Sequence, residues 1–292
     1  MLFFLHIPKC AGMTLTDSLL SRLSAGEIYQ STSLIRNFRE NRPEFPLITN
    51  YSRLRGLTGH WLHEEMLPAL KKPVFFASSI RHPVKRIHSQ YRFDMGMRNA
   101  RWQAKNVDEF LAKNRNVIVT FVNRAFPTIS GDYEDPVEGC KAILSGMDCL
   151  FDVEDADRWI PQLVEYVVGR KEDIRRSNES NTVSINLPIS DEEISRYCDR
   201  DLEVYNWFSQ ARAQKPGEKN PVYDKSAHDK LAAIGARSYK PSKVIDYLVP
   251  KIAAELMNEL PNPNESIAYL QNCSGFLSNL EHKMEDILNS SR

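Results

Sequence analysis

Leu2–Leu23 reads LFFLHIPKCAGMTLTDSLLSRL, and this stretch contains the pattern that decides the fold. Its first residues, Leu2–Leu5, form a short apolar run that is typical of a buried strand. From Leu15 onward a leucine recurs at every fourth position, which is the spacing of one face of a helix. The stretch therefore predicts a strand, a loop and a helix in that order.

The loop between this strand and this helix has the features of an anion site. Thr14 and Asp17 match the Thr-x-x-Asp form of a helix N-cap, so we expect Thr14 to cap the helix. Backbone N–H groups at a helix start lack partners within the helix, and beside the ammonium of Lys9 they favour a phosphate. Gly12 allows the backbone to approach phosphate oxygens closely. Because Lys9 precedes Gly12, the loop differs from the G-x-x-x-x-G-K-[ST] loop that binds nucleoside triphosphates.

A second strand and helix follow the same order further along the chain. Pro73–Ile80 is a largely apolar run, which predicts a central parallel strand buried on both faces. Arg81 follows directly, at the carboxyl end of this strand, where open α/β sheets bind ligands. Pro83 suits the first turn of a helix. The apolar residues along one face of this predicted helix are Val84, Ile87 and Tyr91.

Gly56–His63, GLTGHWLH, predicts a strand that delivers a histidine into a cleft, because two glycines bracket a short apolar step before His60. Histidine titrates near neutral pH, so an imidazole in a cleft can accept the proton of an attacking hydroxyl. We take His60 as the first candidate for this base. His63 and Glu64 remain alternatives that can share the role or replace His60 in it.

The middle of the chain repeats the alternation of strand and helix. Cys149–Val153 predicts a buried strand, and Ala156–Gly169 predicts a helix with one apolar face. Strands that alternate with helices indicate an α/β fold, in which helices cover both faces of a central parallel sheet as a three-layer sandwich.

Residues 215–292 differ from the region before them. Lys215–Pro221 is rich in the residue types of a linker and separates a predicted domain of residues 1–214 from this helical extension. Val244–Leu260 and Ser266–Leu288 have helical patterns. The extension can form a homodimer interface, a lid on the acceptor site or a cap on the core.

Composition excludes several classes of partner. The 292 residues include 38 basic and 38 acidic side chains, and a net charge of zero argues against nucleic acid as a partner. No run approaches the about 18 apolar residues that a membrane span requires. Five cysteines, an odd number, suit reduced thiols and, if Met1 is the true start, a cytoplasmic location. No Cys/His cluster has the spacing of metal ligands, so we expect no metal.

Two segments resemble motifs of the PAPS-dependent sulfotransferases, in the branch that includes the heparan sulfate 2-O- and 6-O-sulfotransferases and bacterial relatives. His6–Leu15, HIPKCAGMTL, is similar to the 5′-phosphosulfate loop H-I-P-K-T-G-G-T-S/T of that branch. Cys10, Ala11 and Met13 depart from the family pattern.

The second segment gives the longer match. Arg81–Tyr91, RHPVKRIHSQY, resembles the 3′-phosphate motif R-D-P-V-x-R-x-x-S-x-Y, with His82 in place of the aspartate. The glycine and histidine at 59 and 60 are similar to the step that carries the family's catalytic base. Val117–Gly131 resembles a family segment more loosely, which makes Asn123 and Arg124 candidates for lining the cleft.

The resemblance implies a P-loop-like sulfotransferase fold and transfer of a sulfuryl group from PAPS to an acceptor hydroxyl, on a carbohydrate or a small metabolite, with release of PAP. In that scheme Lys9 binds the 5′-phosphate and balances charge as the S–O bond breaks, while His60 deprotonates the acceptor. The residues implied in binding the cofactor are Lys9, Cys10, Ala11, Gly12, Met13, Thr14, Leu15, Arg81, Ser89, Arg176 and Ser177.

Two other functions remain open beside this one, and the role of Cys10 is open as well. A kinase can share the strand–loop–helix start, but it requires magnesium and a nucleoside triphosphate. A non-catalytic nucleotide-binding protein would keep the anion sites and dispense with the base. Cys10, close to Lys9 and to a helix start, is either a reactive thiol with a lowered pKa or a small packing residue.

Overall fold

The computed structural model describes residues 1–24, 26–31, 53–96, 104–171 and 187–238, together with residues 174, 240 and 243. Within these residues the chain forms one sheet of five parallel strands in the order β2-β3-β1-β4-β5. The predicted α/β class with a central parallel sheet is therefore confirmed. The strands are β1 (Leu2–Leu5), β2 (Ile28–Gln30), β3 (Gly56–Gly59), β4 (Phe75–Ile80) and β5 (Cys149–Asp152).

Helices follow or precede each strand, and two short 3₁₀ helices, Glu64–Ala69 and Val153–Asp155, complete the secondary structure of the described ranges. The α-helices are α1 (Gly12–Leu20), α2 (Pro83–Gly96), α3 (Val107–Lys113), α4 (Val117–Ala125), α5 (Pro127–Ser130), α6 (Pro136–Ser145), α7 (Ala156–Val168), α8 (Asp191–Tyr197), α9 (Asp199–Gln214) and α10 (Lys225–Gly235).

The side chains of β1 show how the sheet is covered on both faces. Phe3 and Leu5 pack into a core with residues of α4, α6, α9 and α10, whereas Leu2 and Phe4 pack into a second core with residues of α1 and α7. Successive side chains of a strand point to opposite faces, so a strand between two helical layers must be apolar throughout. The continuous apolar run of β1 reflects this position at the centre of the sheet.

The strand order places a crevice at the carboxyl ends of β1 and β4. From β1 the chain passes through α1 to β2 on one side of the sheet, whereas from β4 it passes through α2–α6 to β5 on the other side. The loops after these two neighbouring strands therefore diverge, and ligands of open parallel sheets bind where such loops separate.

The prediction that Thr14 caps α1 is wrong. The helix begins at Gly12, and Ala11 occupies the cap position with a left-handed backbone at φ 60°. Thr14 lies inside the first turn, where its N–H donates to the carbonyl oxygen of Ala11 at 3.2 Å. The Thr-x-x-Asp pattern depends on side chains alone, whereas here the backbone of the preceding loop sets the helix start.

The beginning of the predicted extension packs against the sheet domain. The Leu150 N–H donates to the carbonyl oxygen of Lys219 at 2.8 Å, which joins the segment after α9 to β5. The buried Asn220 amide donates to the carbonyl oxygens of Leu144 at 3.0 Å and Met147 at 2.7 Å. Helix α10 then packs against α6 and the 3₁₀ helix Glu64–Ala69.

Two predicted helices of the extension, Val244–Leu260 and Ser266–Leu288, lie outside the described residues. The proposed homodimer surface, which depends on them, therefore stays a prediction. Searched over the described ranges, the helices include none with the length and apolar character needed to cross a membrane.

Candidate active site

The loop after β1 is held against the end of β4 by side chains of that neighbouring strand. The Ser79 hydroxyl donates to the carbonyl oxygen of Cys10, and a guanidinium nitrogen of Arg81 donates to the carbonyl oxygen of Lys9 at 3.4 Å. Lys9 and Ala11 both have left-handed backbones, at φ 65° and 60°. Left-handed residues with side chains are costly, so their recurrence in one loop indicates a backbone shaped for a specific purpose.

Gly12 is required by its neighbour His6. A Cβ at position 12 would lie 2.0 Å from the Cδ2 atom of the His6 ring, so any other residue would displace that imidazole. His6 is itself 2% exposed, and burial lowers its pKa well below the usual range. The sequence predicted that Gly12 allows phosphate oxygens to approach the backbone closely. In the structure the group in close contact with Gly12 is the His6 ring.

The N-terminus of α1 is a candidate site for an anion. No side chain caps this helix, so the N–H groups of its first turn are not paired with a capping side chain. These groups carry the positive end of the helix dipole, which stabilises negative charge. The three residues before Gly12 therefore bring the Lys9 side chain close to the start of α1, at one corner of the crevice.

Lys9 and Arg81 bring two positive charges together in this crevice. The half-buried Lys9 ammonium lies 4.2 Å from the ring centroid of Phe93, whose side chain is 47% exposed. Burial lowers the pKa of Lys9, and the positive charge of Arg81 lowers it further. Because each cation raises the electrostatic cost of the other, an anion that binds between them is stabilised by both.

Arg81 also lines a basic groove of about 300 Å³ along α2, with Lys85, His88 and Arg92. Lys85, His88 and Arg92 recur at helical spacing along one face of α2, and Arg81 lies just before the start of that helix. Lys85 forms an ion pair with Glu154 at 2.9 Å, and His88 Nε2 forms a hydrogen bond with the Asp191 carboxyl group at 2.8 Å. Ser89, the other 3′-phosphate candidate, lies half-buried on the same helix.

His60 follows β3 and is oriented by a hydrogen bond from its ring. Its Nδ1 lies 2.6 Å from the carbonyl oxygen of His6. A carbonyl oxygen only accepts, so Nδ1 carries the proton, and the lone pair of the neutral ring is on Nε2. Burial lowers the pKa of His60 to about 4, and the charges of Arg124 and Lys9 contribute to that lowering. At neutral pH His60 is therefore an unprotonated base with its acceptor nitrogen fixed.

The turn that carries His60 depends on the neighbouring strand β2. Gly59 has φ 138°, and a Cβ there would lie 2.4 Å from the Oγ atom of Ser31. The Ser31 hydroxyl accepts a hydrogen bond from the N–H of Trp61 at 3.1 Å. Ser31 therefore occupies the space beside Gly59 and fixes the backbone on both sides of His60.

The two alternatives to His60 make different contacts. His63 Nδ1 accepts a hydrogen bond from the N–H of Glu65 at 3.3 Å, which caps the 3₁₀ helix and places the proton of the neutral ring on Nε2. Glu64 is 2% exposed and accepts from both the N–H and the hydroxyl of Thr128. These contacts bind Glu64 to the start of α5, and burial raises the pKa of its carboxyl group.

Of the two candidates from α4, only one reaches His60. Arg124 donates to the carbonyl oxygen of His60 at 2.9 Å, and its guanidinium lies over the rings of Trp61 and Phe121. The Asn123 amide instead donates to the carbonyl oxygen of Pro136 at 2.8 Å, which ties α4 to the start of α6. Arg124 is therefore part of the site, and Asn123 supports the scaffold.

The reactive-thiol interpretation of Cys10 is wrong, and the packing interpretation is confirmed. Its side chain is fully buried, and burial raises the pKa of the thiol to about 12. The Cys10 thiol donates to the carbonyl oxygen of Pro8 at 3.7 Å. Leu15 is likewise buried in the core, whereas Met13 lies half-buried in the first turn of α1. Arg176 and Ser177 lie outside the described residues.

Sequence reasoning assigned no role to His6, Phe93 or the groove residues Lys85 and His88. His6 directly follows β1, and the helical spacing of Lys85 and His88 from Arg81 was visible in the sequence. The position after a strand and the helical spacing show roughly where these side chains lie, but neither pattern specifies a contact with a residue distant in the chain. The contact between Phe93 and Lys9 has no such local signal.

Comparison with protein-family models gives no match for this chain, and comparison with curated proteins gives none either.

Proposed function

We propose that this protein is a PAPS-dependent sulfotransferase that transfers a sulfuryl group to an acceptor hydroxyl. The observation that carries the proposal is the meeting of three side chains from the ends of three adjacent strands. His60 follows β3, Lys9 follows β1 and Arg81 follows β4. Hydrogen bonds link the three segments, from His60 to the carbonyl of His6 and from Arg81 to the carbonyl of Lys9.

The residues of the crevice fit the chemistry of a doubly phosphorylated adenosine. Its 5′ end needs an anion site, which Lys9 and the N-terminus of α1 supply. Its 3′-phosphate needs a second one, for which we propose Arg81, which lines the basic groove, and Ser89, which lies on α2. A guanidinium can hold a phosphate through two parallel hydrogen bonds.

Each side chain has a distinct part in the proposed reaction. PAPS, when bound, supplies the sulfuryl group, which leaves its phosphate oxygen and joins the acceptor oxygen in line. His60 Nε2 accepts the proton of the acceptor hydroxyl. The Lys9 ammonium balances the negative charge that remains on the phosphate oxygen, and a preorganised charge of this kind commonly contributes about 10²-fold or more to the rate.

The proposed acceptor is a carbohydrate or a small metabolite. The aromatic rings of Trp61 and Phe121 near His60 support this part of the proposal. The proposal includes a cytoplasmic location, which suits the four buried cysteines that carry free thiols in the described ranges.

The proposal is tested first by binding and then by transfer. We expect PAP to raise the melting temperature of the protein, and we expect ATP with magnesium to have a smaller effect. Arg81→Gln should weaken PAP binding, because it removes a phosphate partner. Transfer of labelled sulfate from PAPS to a panel of hydroxylated acceptors should then follow, with Lys9→Ala reducing turnover on the order of 10²-fold. Stabilisation by ATP with magnesium and not by PAP would support a kinase instead.

A further inference from the structure

Arg124 combines three contacts on the acceptor side of His60. Its guanidinium carbon lies 4.6 Å from the ring centroid of Trp61 and 4.1 Å from that of Phe121. One of its terminal nitrogens donates to the carbonyl oxygen of His60 at 2.9 Å. Stacking on aromatic faces restricts the plane of a guanidinium, so the direction of this hydrogen bond is fixed.

His60 is consequently fixed at two points by different parts of the chain. Its ring donates to the carbonyl oxygen of His6, at the end of β1, and its own carbonyl oxygen accepts from Arg124, near the end of α4. The Phe121 ring also meets the His60 ring edge-on at 6.0 Å. The first contact sets the tautomer, and the second sets the position of the backbone that carries the ring.

The charged and titratable groups that face His60 in the described part of the chain are His6, Lys9 and Arg124. His6 is buried with a lowered pKa and is therefore neutral at pH 7, so the two cations dominate the local field. Both oppose a positive charge on the imidazole. An anion that binds at Lys9 offsets that residue's charge, which leaves Arg124 as the cation that acts on His60 in the loaded enzyme.

We propose that Arg124 is a positioning residue for His60, which fixes the imidazole against the acceptor and opposes positive charge on its ring. The catalytic meaning of this role rests on the proposed function. The structural and electrostatic part does not, because it concerns two residues of the free protein.

The chain offers a matched control for this arginine. Arg158 lies over the ring of Trp159 at 4.7 Å, and one of its terminal nitrogens donates to the carbonyl oxygen of Gly217 at 3.1 Å. It therefore makes the same two kinds of contact on α7 and the segment after α9, away from His60. Arg158→Gln measures the general cost of removing a stacked arginine.

The experiment is a titration by nuclear magnetic resonance of the imidazoles in the free, full-length protein. His60→Asn assigns the His60 signals among those of the seven histidines. In Arg124→Gln we expect the pKa of His60 to rise by roughly half a unit to one unit, because a neighbouring cation is removed. Arg124→Lys, which retains the charge, should leave that pKa close to the wild-type value, and Arg158→Gln should not change it.

Turnover gives the second measurement. With PAPS and an acceptor, Arg124→Gln and Arg124→Lys should both lower kcat by roughly tenfold with little change in the affinity for PAP, since each loses the fixed plane of the guanidinium. A His60 pKa in Arg124→Gln equal to that in wild type and Arg158→Gln would overturn the inference. The titration needs no donor or acceptor, so it decides the electrostatic part of this role even if sulfuryl transfer fails and the proposed function falls.

Discussion

His60 and His63 lie three residues apart, yet the structure gives their rings opposite hydrogen-bonding roles. At the turn after β3, His60 Nδ1 donates to a carbonyl oxygen, whereas at the start of the 3₁₀ helix His63 Nδ1 accepts from an N–H group. Burial lowers the pKa of both to about 4, so neither their charge nor their residue type distinguishes them. The backbone group that each ring meets decides which neutral tautomer it adopts, and only His60 keeps a basic Nε2.

The largest expected effect comes from exchanging each histidine for asparagine. His60→Asn retains a donor near the position of Nδ1 but has no basic nitrogen, so kcat for sulfuryl transfer should fall by about 10²- to 10⁴-fold. His63→Asn supplies an oxygen that can accept from Glu65, so its kcat should stay within a few-fold of wild type. PAP binding should be retained in both variants. Equal losses in the two would show that the tautomer does not identify the base.

The acid stability of the protein tests the property that the two histidines share. Their pKa is about 4 in the folded protein, against 6.5 for an exposed ring in an unfolded chain. Between these values the unfolded chain binds more protons than the folded chain, so the free energy of unfolding falls as pH decreases from about 6.5 to 4. Each ring contributes up to about 3 kcal/mol to this loss.

Chemical denaturation at a series of pH values measures that contribution. His63→Asn should lose less stability than wild type on acidification, because one of the protonation sites that oppose folding has been removed. The same slope in wild type and His63→Asn would mean that the His63 ring titrates normally in the folded protein.

Replacing Gly12, which packs against the His6 ring, should disturb the orientation of His60 and leave His63 unchanged. In Gly12→Ala the new methyl group meets the His6 ring, so that ring and the carbonyl group that orients His60 must shift. We expect a loss of about 1–3 kcal/mol in the free energy of unfolding, together with reduced turnover.

Gly26→Ala is the control for Gly12→Ala, because a Cβ at position 26 meets no atom within 4 Å. It should leave stability and turnover close to wild type. The predicted pair of results would fail if Gly12→Ala were as stable and as active as Gly26→Ala, since His6 would then have room to move without disturbing His60.

The sequence predicted the strands and loops that form the candidate site better than it predicted the contacts of individual side chains. β1, β4 and β5 follow from apolar runs, and the positions of Lys9 and Arg81 follow from the rule that loops after parallel strands meet at one edge of the sheet. These predictions use local periodicity and topology, which one sequence contains. The apolar face predicted for the helix in Ala156–Gly169 packs into the core for the same reason, through Trp159, Leu163 and Val167.

Other features depend on contacts between residues distant in the chain, and no local pattern contains them. The choice between His60 and His63 requires knowledge of which backbone group meets each ring. The wrong cap at Thr14 has a related cause, because the left-handed backbones of Lys9 and Ala11 start α1 three residues earlier than its side chains indicate. The burial that makes Cys10 unreactive comes from the packing of the whole core.

The smallest expected effect comes from replacing a residue with a left-handed backbone in the loop after β1. Lys9, Ala11 and Gly59 all have positive φ angles, whereas no residue in the described segment 60–70 has one. A left-handed backbone costs a residue with a side chain about 1–2 kcal/mol, and glycine removes that cost while it adds about 0.4–1 kcal/mol of entropy to the unfolded chain. Ala11→Gly should therefore raise the free energy of unfolding by no more than about 1 kcal/mol.

Lys71→Gly gives the reference for Ala11→Gly, because Lys71 has a left-handed backbone at φ 46° and lies exposed, outside the candidate site. If the loop after β1 needs a stiff backbone to hold Lys9 in place, Ala11→Gly should weaken PAP binding slightly even as it stabilises the fold, and Lys71→Gly should not. Equal stability gains with unchanged PAP affinity in both variants would show that Ala11 contributes strain and no function.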